Sequence, residues 1–332
     1  MILVLSQDTA EPTTELVMDW IEALGGHCAR LNGEDLNAGE GFTVRLDRGG
    51  CDLVLRVAGR DVTVDEVRAV WLRRWHRLEN LGLAPLLDDP QLRNRVSHHL
   101  AGELAAAFQS LHTLLRGAKW LTHPADVRVA KLAALRTAAR AGLDVPASLV
   151  TNTREALRDF KARYGRIITK PLGEAETFPC AGESYLMYTA ELSDQDVENA
   201  PELFFPSLAQ ELLEKKYELR VFYLDGACYA MAIFSQLDGR TALDFRRYNH
   251  KKPNRSVPYR LPPQVERGVC AFMEAMRLST GSLDLVRTTG GRYVFLEVNP
   301  AGQFGMVSDP CNYNLERRVA EALIRRDTDG RD

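Results

Sequence analysis

The chain has 332 residues, enough for two or three domains of ordinary size. With 45% hydrophobic and 26% charged residues it reads as a globular protein, and a net charge of −3 argues against a general nucleic-acid binder. No apolar run approaches the ~20 residues of a membrane helix, and the start MILVLSQ lacks the basic segment of a secretion signal. The expectation is a cytoplasmic protein without a membrane partner. Its six scattered cysteines, with no CxxC among them, are then free thiols.

Ile2 to Leu5 reads as a buried strand. A helix follows over TTELVMDWIEALGG, with Thr13 or Thr14 as cap, one apolar face (Leu16, Val17, Trp20, Ile21, Leu24), and Gly25-Gly26 as its stop. HCARL, DLVLRV and AVWLRRW read as strands, VDEVR as a short helix, and QLRNRVSHHLAGELAAAFQSLHTLLRG as a long one ending at Gly117. This alternation predicts an α/β domain over residues 1–118. A second unit, 119–209, begins with a helix closed by Gly142. It continues as strand SLVT, helix TREALRDFKARYG, and strands RIITKPL and SYLMYT. Residues 210–332 are rich in strands. Asp225-Gly226 marks one hairpin and Gly290-Gly291 another, with helix PPQVERGVCAFMEAMRL between them and helix NLERRVAEALIRR at the end.

The second hairpin carries the chemistry. With Gly290-Gly291 as a two-residue turn, Thr289 faces Arg292, and counting back puts Asp284 opposite Glu297. Asn299 lies on the same face as Glu297, two residues on. Like charges directly opposed are destabilising, so the pair needs a cation or open solvent. Its neighbours Leu283, Leu285, Val294, Phe295 and Val298 are too apolar for an exposed face, which favours magnesium.

Other residues offer charge and hydrogen bonds. Lys170 ends the apolar run Ile167-Ile168-Thr169 and needs an anion or solvent; Lys131 lies early in the 129–141 helix and on its own reads as an ordinary exposed lysine. The loop Gly173 to Gly182 can cover phosphates, although it is acidic and glycine-poor. Gln210-Glu211-Leu212-Leu213 sits where two lobes meet and can offer backbone to an adenine edge. Glu218 and Arg220 share a strand face and suit ribose and phosphate, or form a simple cross-strand salt pair. The run LDFRRYNHKKP adds Arg246, Arg247, His250, Lys251 and Lys252, either as ligands or as a solvated basic loop.

Together these features resemble the ATP-grasp superfamily: Lys131, Lys170, the 210–213 hinge, and Asp284 with Glu297-Val298-Asn299. The segments VWLRRW, YELRVFYLDG, AIFSQ, DFRRYN and FLEVNPAGQFGMVSDPCNYNLERRVAEALI are similar to graspetide synthetases, especially the microviridin-type ligases and grasp-with-spasm maturases. The resemblance implies an α/β (α+β) ATP-grasp fold with an N-terminal domain and two lobes clamping ATP. It implies ATP and two Mg²⁺ ions as cofactors, a ribosomal precursor peptide as partner, and a homodimer. Lys131, Lys170, residues 210–213 and Glu218 would then bind ATP, while Asp284, Glu297 and Asn299 hold metal. Arg220 and Arg246 would stabilise the transferring phosphoryl group, and Gln303 and Phe304 would touch the peptide. The implied reaction converts an Asp or Glu side chain to an acyl phosphate, which a Ser or Thr hydroxyl or a Lys amine attacks to close a ring. The rivals are a carboxylate–amine ligase of the glutamate-ligase type and a nucleotide-binding regulator without catalysis.

Overall fold

The fold is known from a computed structural model that describes residues 1–7, 11–37, 41–48, 50–74, 87–173, 177–180, 183–187, 189–237 and 254–329. The chain divides into two compact units. One comprises Met1–Val127, Gln303–Gly305 and Asn314–Asp332; the other comprises Arg128–Gly302 and Met306–Tyr313.

In the first unit the elements are β1 (Ile2–Ser6), α1 (Pro12–Ala23), β2 (Cys28–Asn32), β3 (Gly41–Asp47), β4 (Gly50–Val57), β5 (Arg60–Thr63), β6 (Ala69–Leu72), α2 (Pro90–Leu114) and β7 (Lys119–Thr122). Strands β2-β1-β6-β7 form a parallel sheet. Ile2, Leu3, Val4 and Leu5 are all fully buried, because a parallel sheet is covered on both faces. The terminal helix, Leu315–Thr328, packs against α1 and the sheet. Leu3, Leu5, Val70 and Leu72 instead meet Phe108 and Leu111 of α2, and Leu53, Leu55 and Val62 of the antiparallel sheet β3-β4-β5. Strands β3 and β5 were not read from the sequence: β3 alternates at Phe42, Val44 and Leu46 but leaves Val44 and Leu46 exposed, and β5 spans only Arg60–Thr63. The expected Thr13 or Thr14 cap is corrected: α1 begins at Pro12, Glu11 is its N-cap, and no side chain caps it.

In the second unit the elements are α3 (Lys131–Arg140), β8 (Ser148–Thr153), α4 (Arg154–Tyr164), β9 (Ile167–Lys170), β10 (Thr177–Cys180), β11 (Glu183–Leu186), β12 (Ala190–Leu192), α5 (Asp194–Asn199) and β13 (Leu203–Glu211). They continue with β14 (Lys215–Leu224), β15 (Ala227–Ile233), β16 (Ser256–Tyr259), α6 (Pro263–Ala275), β17 (Thr280–Thr288) and β18 (Tyr293–Asn299). One sheet has the order β12-β9-β13-β8; the other, β16-β15-β14-β17-β18, is antiparallel throughout. The first hairpin turns at Asp225-Gly226 as expected, with φ of +45° and +92°, the pair of positive angles a tight hairpin turn requires. The loop expected over 173–182 is half strand: β10 and β11 pair, with Cys180 facing Glu183. No described helix is long and apolar enough to cross a membrane, which leaves β-barrels unaddressed. Cys28, Cys51, Cys228, Cys270 and Cys311 are free thiols.

Candidate active site

The five-stranded sheet separates its side chains by parity. Leu219, Val221 and Tyr223 of β14, and Leu283 and Leu285 of β17, face a core shared with Ala134 and Leu135 of α3 and Phe272 of α6. The alternate residues face away from that core. There Arg220 faces Asp284, and Asp284 faces Glu297, so three charged residues cross β14, β17 and β18 in one row. In the next row Ser282 faces Asn299.

The expected register holds for a reason that was not expected. Near the turn Leu285 faces Phe295, Val286 faces Val294, and Arg287 faces Tyr293. The Thr288 N–H donates to Arg292 O at 2.9 Å, so the connection is the three residues Thr289, Gly290 and Gly291. Gly291 has a φ of +91°, the left-handed conformation that such a loop needs. A bulge between the Asp284–Glu297 and Leu285–Phe295 pairs then adds Leu296 on β18. The longer turn and the bulge cancel, and Asp284 returns to Glu297.

The carboxylates are compensated by cations of the protein itself. Nη1 of Arg220 donates to both Asp284 oxygens at 2.8 Å. Its Nε is buried without a hydrogen-bond partner among the described residues. Lys131, first residue of α3, donates to the Pro171 carbonyl at 2.7 Å, and its Nζ lies 3.7 Å from Glu297 Oε2. It thereby links the carboxylate row to the end of β9, where Lys170 stands half-buried.

Glu218 is buried on the same face as Arg220, and its Oε1 accepts from Ser235 Oγ at 2.7 Å and Lys215 Nζ at 3.2 Å. Burial is the largest influence on its carboxyl and pushes it above the ordinary range, against Lys215 and Ser235. Lys215 and Ser235 were missed as part of this group. Three residues apart on a regular strand, Lys215 and Glu218 would face opposite ways. A register shift between Lys215 and Tyr217 brings them together, and a bulge has no sequence signal here.

The 210–213 segment is partly built into the sheet. Gln210 and Glu211 lie inside the β13 ladder, between β8 and β9. Gln210 is buried, with Nε2 donating to Ser148 Oγ at 2.8 Å, and Glu211 Oε1 accepts from the Ala147 N–H at 3.0 Å. The Leu212 N–H donates to Arg166 O at 2.9 Å. Arg246, Arg247, His250, Lys251 and Lys252 lie outside the described residues, as do Glu174, Glu176 and Gly182.

Phe304 also differs from expectation. It is 2% exposed, with the Arg73 guanidinium 5.4 Å from its ring centre, so it is a core residue of the first unit and not a free peptide contact. Arg73 is itself buried, its Nε 3.2 Å from Glu11 Oε2, while Arg74 Nε lies 2.7 Å from Glu11 Oε1. Burial lowers Arg73 to about 10, with Glu11 opposing that shift and Arg74 adding to it.

Among the described residues no three His, Cys, Asp or Glu side chains cluster for a metal. Two carboxylates and an amide on one face fit an ion whose shell is completed by water and phosphate oxygens, which is how Mg²⁺ is commonly held.

Known proteins support this fold. Residues 1–128 match the family model described as the MvdD pre-ATP grasp domain. The macrocyclase MdnC from Microcystis aeruginosa MRC, solved with precursor peptide MdnA, is 24% identical with a TM-score of 0.82, over 98% of this chain and 99% of its own. This chain has the ATP-grasp fold. A RiPP-associated ATP-grasp ligase from Chryseobacterium gregarium, solved with ADP and a leader and core peptide, is 21% identical with a TM-score of 0.84, over 98% and 95% of the two chains. The ATP-grasp ligase PsnB, solved with Mg, ADP and a phosphomimetic variant of its minimal precursor, is 22% identical with a TM-score of 0.71, over 98% of each chain. No curated protein matches. The expected α/β class and ATP-grasp fold are borne out.

Proposed function

We propose that this ATP-grasp protein is a ligase that closes ω-ester or ω-amide rings in a ribosomally made precursor peptide. The observation that carries the reading is the row Arg220–Asp284–Glu297, with Asn299 beside it and Lys131 at its edge. The peptide-bound ligases of the same fold support it.

In this reading Asp284, Glu297 and Asn299 would hold two magnesium ions, which would supply charge neutralisation to the ATP phosphates. Lys131 and Lys170 bind the phosphates, Leu212 and Leu213 the base, and Glu218 the ribose. Gln210 and Glu211 keep that hinge in shape. Arg220, now paired with Asp284, would neutralise negative charge on the transferring phosphoryl group, with Arg246 as its partner from the basic run. An Asp or Glu oxygen of the peptide attacks the γ-phosphorus, and ADP leaves. A Ser or Thr hydroxyl or Lys amine then attacks the acyl carbon. The carbon–oxygen bond to phosphate breaks, and phosphate departs with the nucleophile's proton. A cytoplasmic homodimer belongs to the same reading, by resemblance.

The test is incubation with ATP, Mg²⁺ and a precursor peptide rich in Thr/Ser and Asp/Glu, read by mass spectrometry. The expected result is loss of one water per ring with matching phosphate release. A mass gain upon adding a free amino acid would instead select the glutamate-ligase type. ATP binding without phosphate release would select a regulator.

A further inference from the structure

The chain leaving the carboxylate strand is closed by a glycine with no room for a side chain. Asn299 ends β18 and faces Ser282 of β17. The chain then turns through the buried Pro300, and the Gly302 N–H donates to Asn299 O at 3.0 Å. A Cβ on Gly302 would lie 2.6 Å from Ser282 Cβ, 2.9 Å from Ser282 Oγ and 3.0 Å from Asn299 O. Gly302 does not have positive φ, so space rather than backbone freedom requires glycine here. Ser282 cannot easily retreat, because it is 1% exposed and held between Phe222 and Asn299 in the sheet.

We propose that Gly302, seated against Ser282, is a positioning residue for Asn299. The 299–302 turn lies down on β17 because neither Gly302 nor Ser282 carries a larger group, and this sets the direction of the Asn299 amide beside Glu297. An added methyl 2.6 Å from Ser282 Cβ forces the turn away from β17 by more than the ~0.2 Å tolerance of a metal–oxygen distance. The inference rests on the reading of Asp284, Glu297 and Asn299 as the metal set.

The test compares the full-length chain with Gly302→Ala, Ser282→Gly and the double variant, which moves the missing Cβ from one side of the contact to the other. ADP affinity is measured by calorimetry in EDTA and across a Mg²⁺ series, alongside thermal melting. Gly302→Ala is expected to raise the Mg²⁺ half-saturation about tenfold, the scale of losing support behind a ligand, with ADP affinity in EDTA unchanged. The double variant is expected to recover most of that loss. An unchanged Mg²⁺ requirement in Gly302→Ala, or a double variant as impaired as the single one, overturns the proposal. Should Gly302→Ala not fold, the double variant decides. Folding with a Mg²⁺ requirement near wild type supports the proposal; a raised requirement or failure to fold overturns it. A wild-type chain whose ADP affinity ignores Mg²⁺ overturns the metal reading itself, whereas a Mg²⁺-dependent wild type beside an unaffected Gly302→Ala overturns only the role of Gly302.

Discussion

Arg220 and Asp284 are cross-strand partners, and a single guanidinium nitrogen donates to both carboxylate oxygens at 2.8 Å. Their side chains are 11% and 19% exposed, so the pair is only weakly screened. It offsets the repulsion between Asp284 and Glu297. Arg220→Met is expected to destabilise the chain by about 2–3 kcal/mol, somewhat less than for a fully buried pair losing one partner. Added Mg²⁺ should raise the melting temperature of this variant more than that of wild type, because the ion takes over the missing positive charge. Equal increments would count against metal at Asp284.

Asp284→Asn and Glu297→Gln change charge while keeping shape. Each is expected to reduce ring formation by roughly 100-fold or more, the scale of losing a principal electrostatic contributor to a transition state. Mg²⁺-dependent ADP binding should fall with it, and circular dichroism should show an intact fold. Undiminished water loss from the peptide in both variants would remove the metal assignment.

Glu218 provides a pH test. Burial raises its carboxyl above the ordinary 4.5, so the folded chain holds that proton more tightly than the unfolded chain. The stabilisation from this shift is fully present below the unfolded value and is lost as pH rises through the folded value. Glu218→Gln, which can still accept from Ser235 and Lys215, escapes that loss. Its stability relative to wild type should therefore rise with pH through this window and level off above it. Urea unfolding from acid to neutral pH measures the difference, and a flat or falling difference would contradict the direction.

The Glu11–Arg73–Phe304 group predicts coupling inside the first unit. Glu11→Ala leaves a buried guanidinium without its carboxylate and should cost about 3–5 kcal/mol. Glu11→Ala with Arg73→Leu should cost less than Glu11→Ala alone, because the buried guanidinium that Glu11 offset is gone as well. Phe304→Ala should cost about 3–5 kcal/mol through the cavity it leaves. Denaturant unfolding of these variants checks all three, and an additive Glu11–Arg73 cycle would deny the coupling.

The parts legible in sequence were those written in adjacent residues. Ile2–Leu5, Glu218/Arg220 opposite Leu219/Val221, and the Asp225-Gly226 turn each announce themselves through strand parity or turn chemistry. Gln210 and Glu211 were harder. Whether a polar residue at a lobe junction meets a ligand or its own backbone depends on which strands flank it, and β13 has one on each side. Phe304 followed the same logic, since an aromatic ring in a glycine-rich turn is buried only if a distant element covers it.

The sequence by itself determined that Glu297 and Asn299 share one strand face, because side chains along a strand alternate. It could not determine the bulge at Leu296, which corrects a turn one residue longer than expected. Nor could it bring Arg220 to Asp284, 64 residues away, or Lys131 to Glu297. Those partners come from strand order and helix docking, which are fixed by burying the Leu219–Leu283–Phe295 face against α3 and α6. Local alternation decided which residues face together; long-range packing decided which charges meet them.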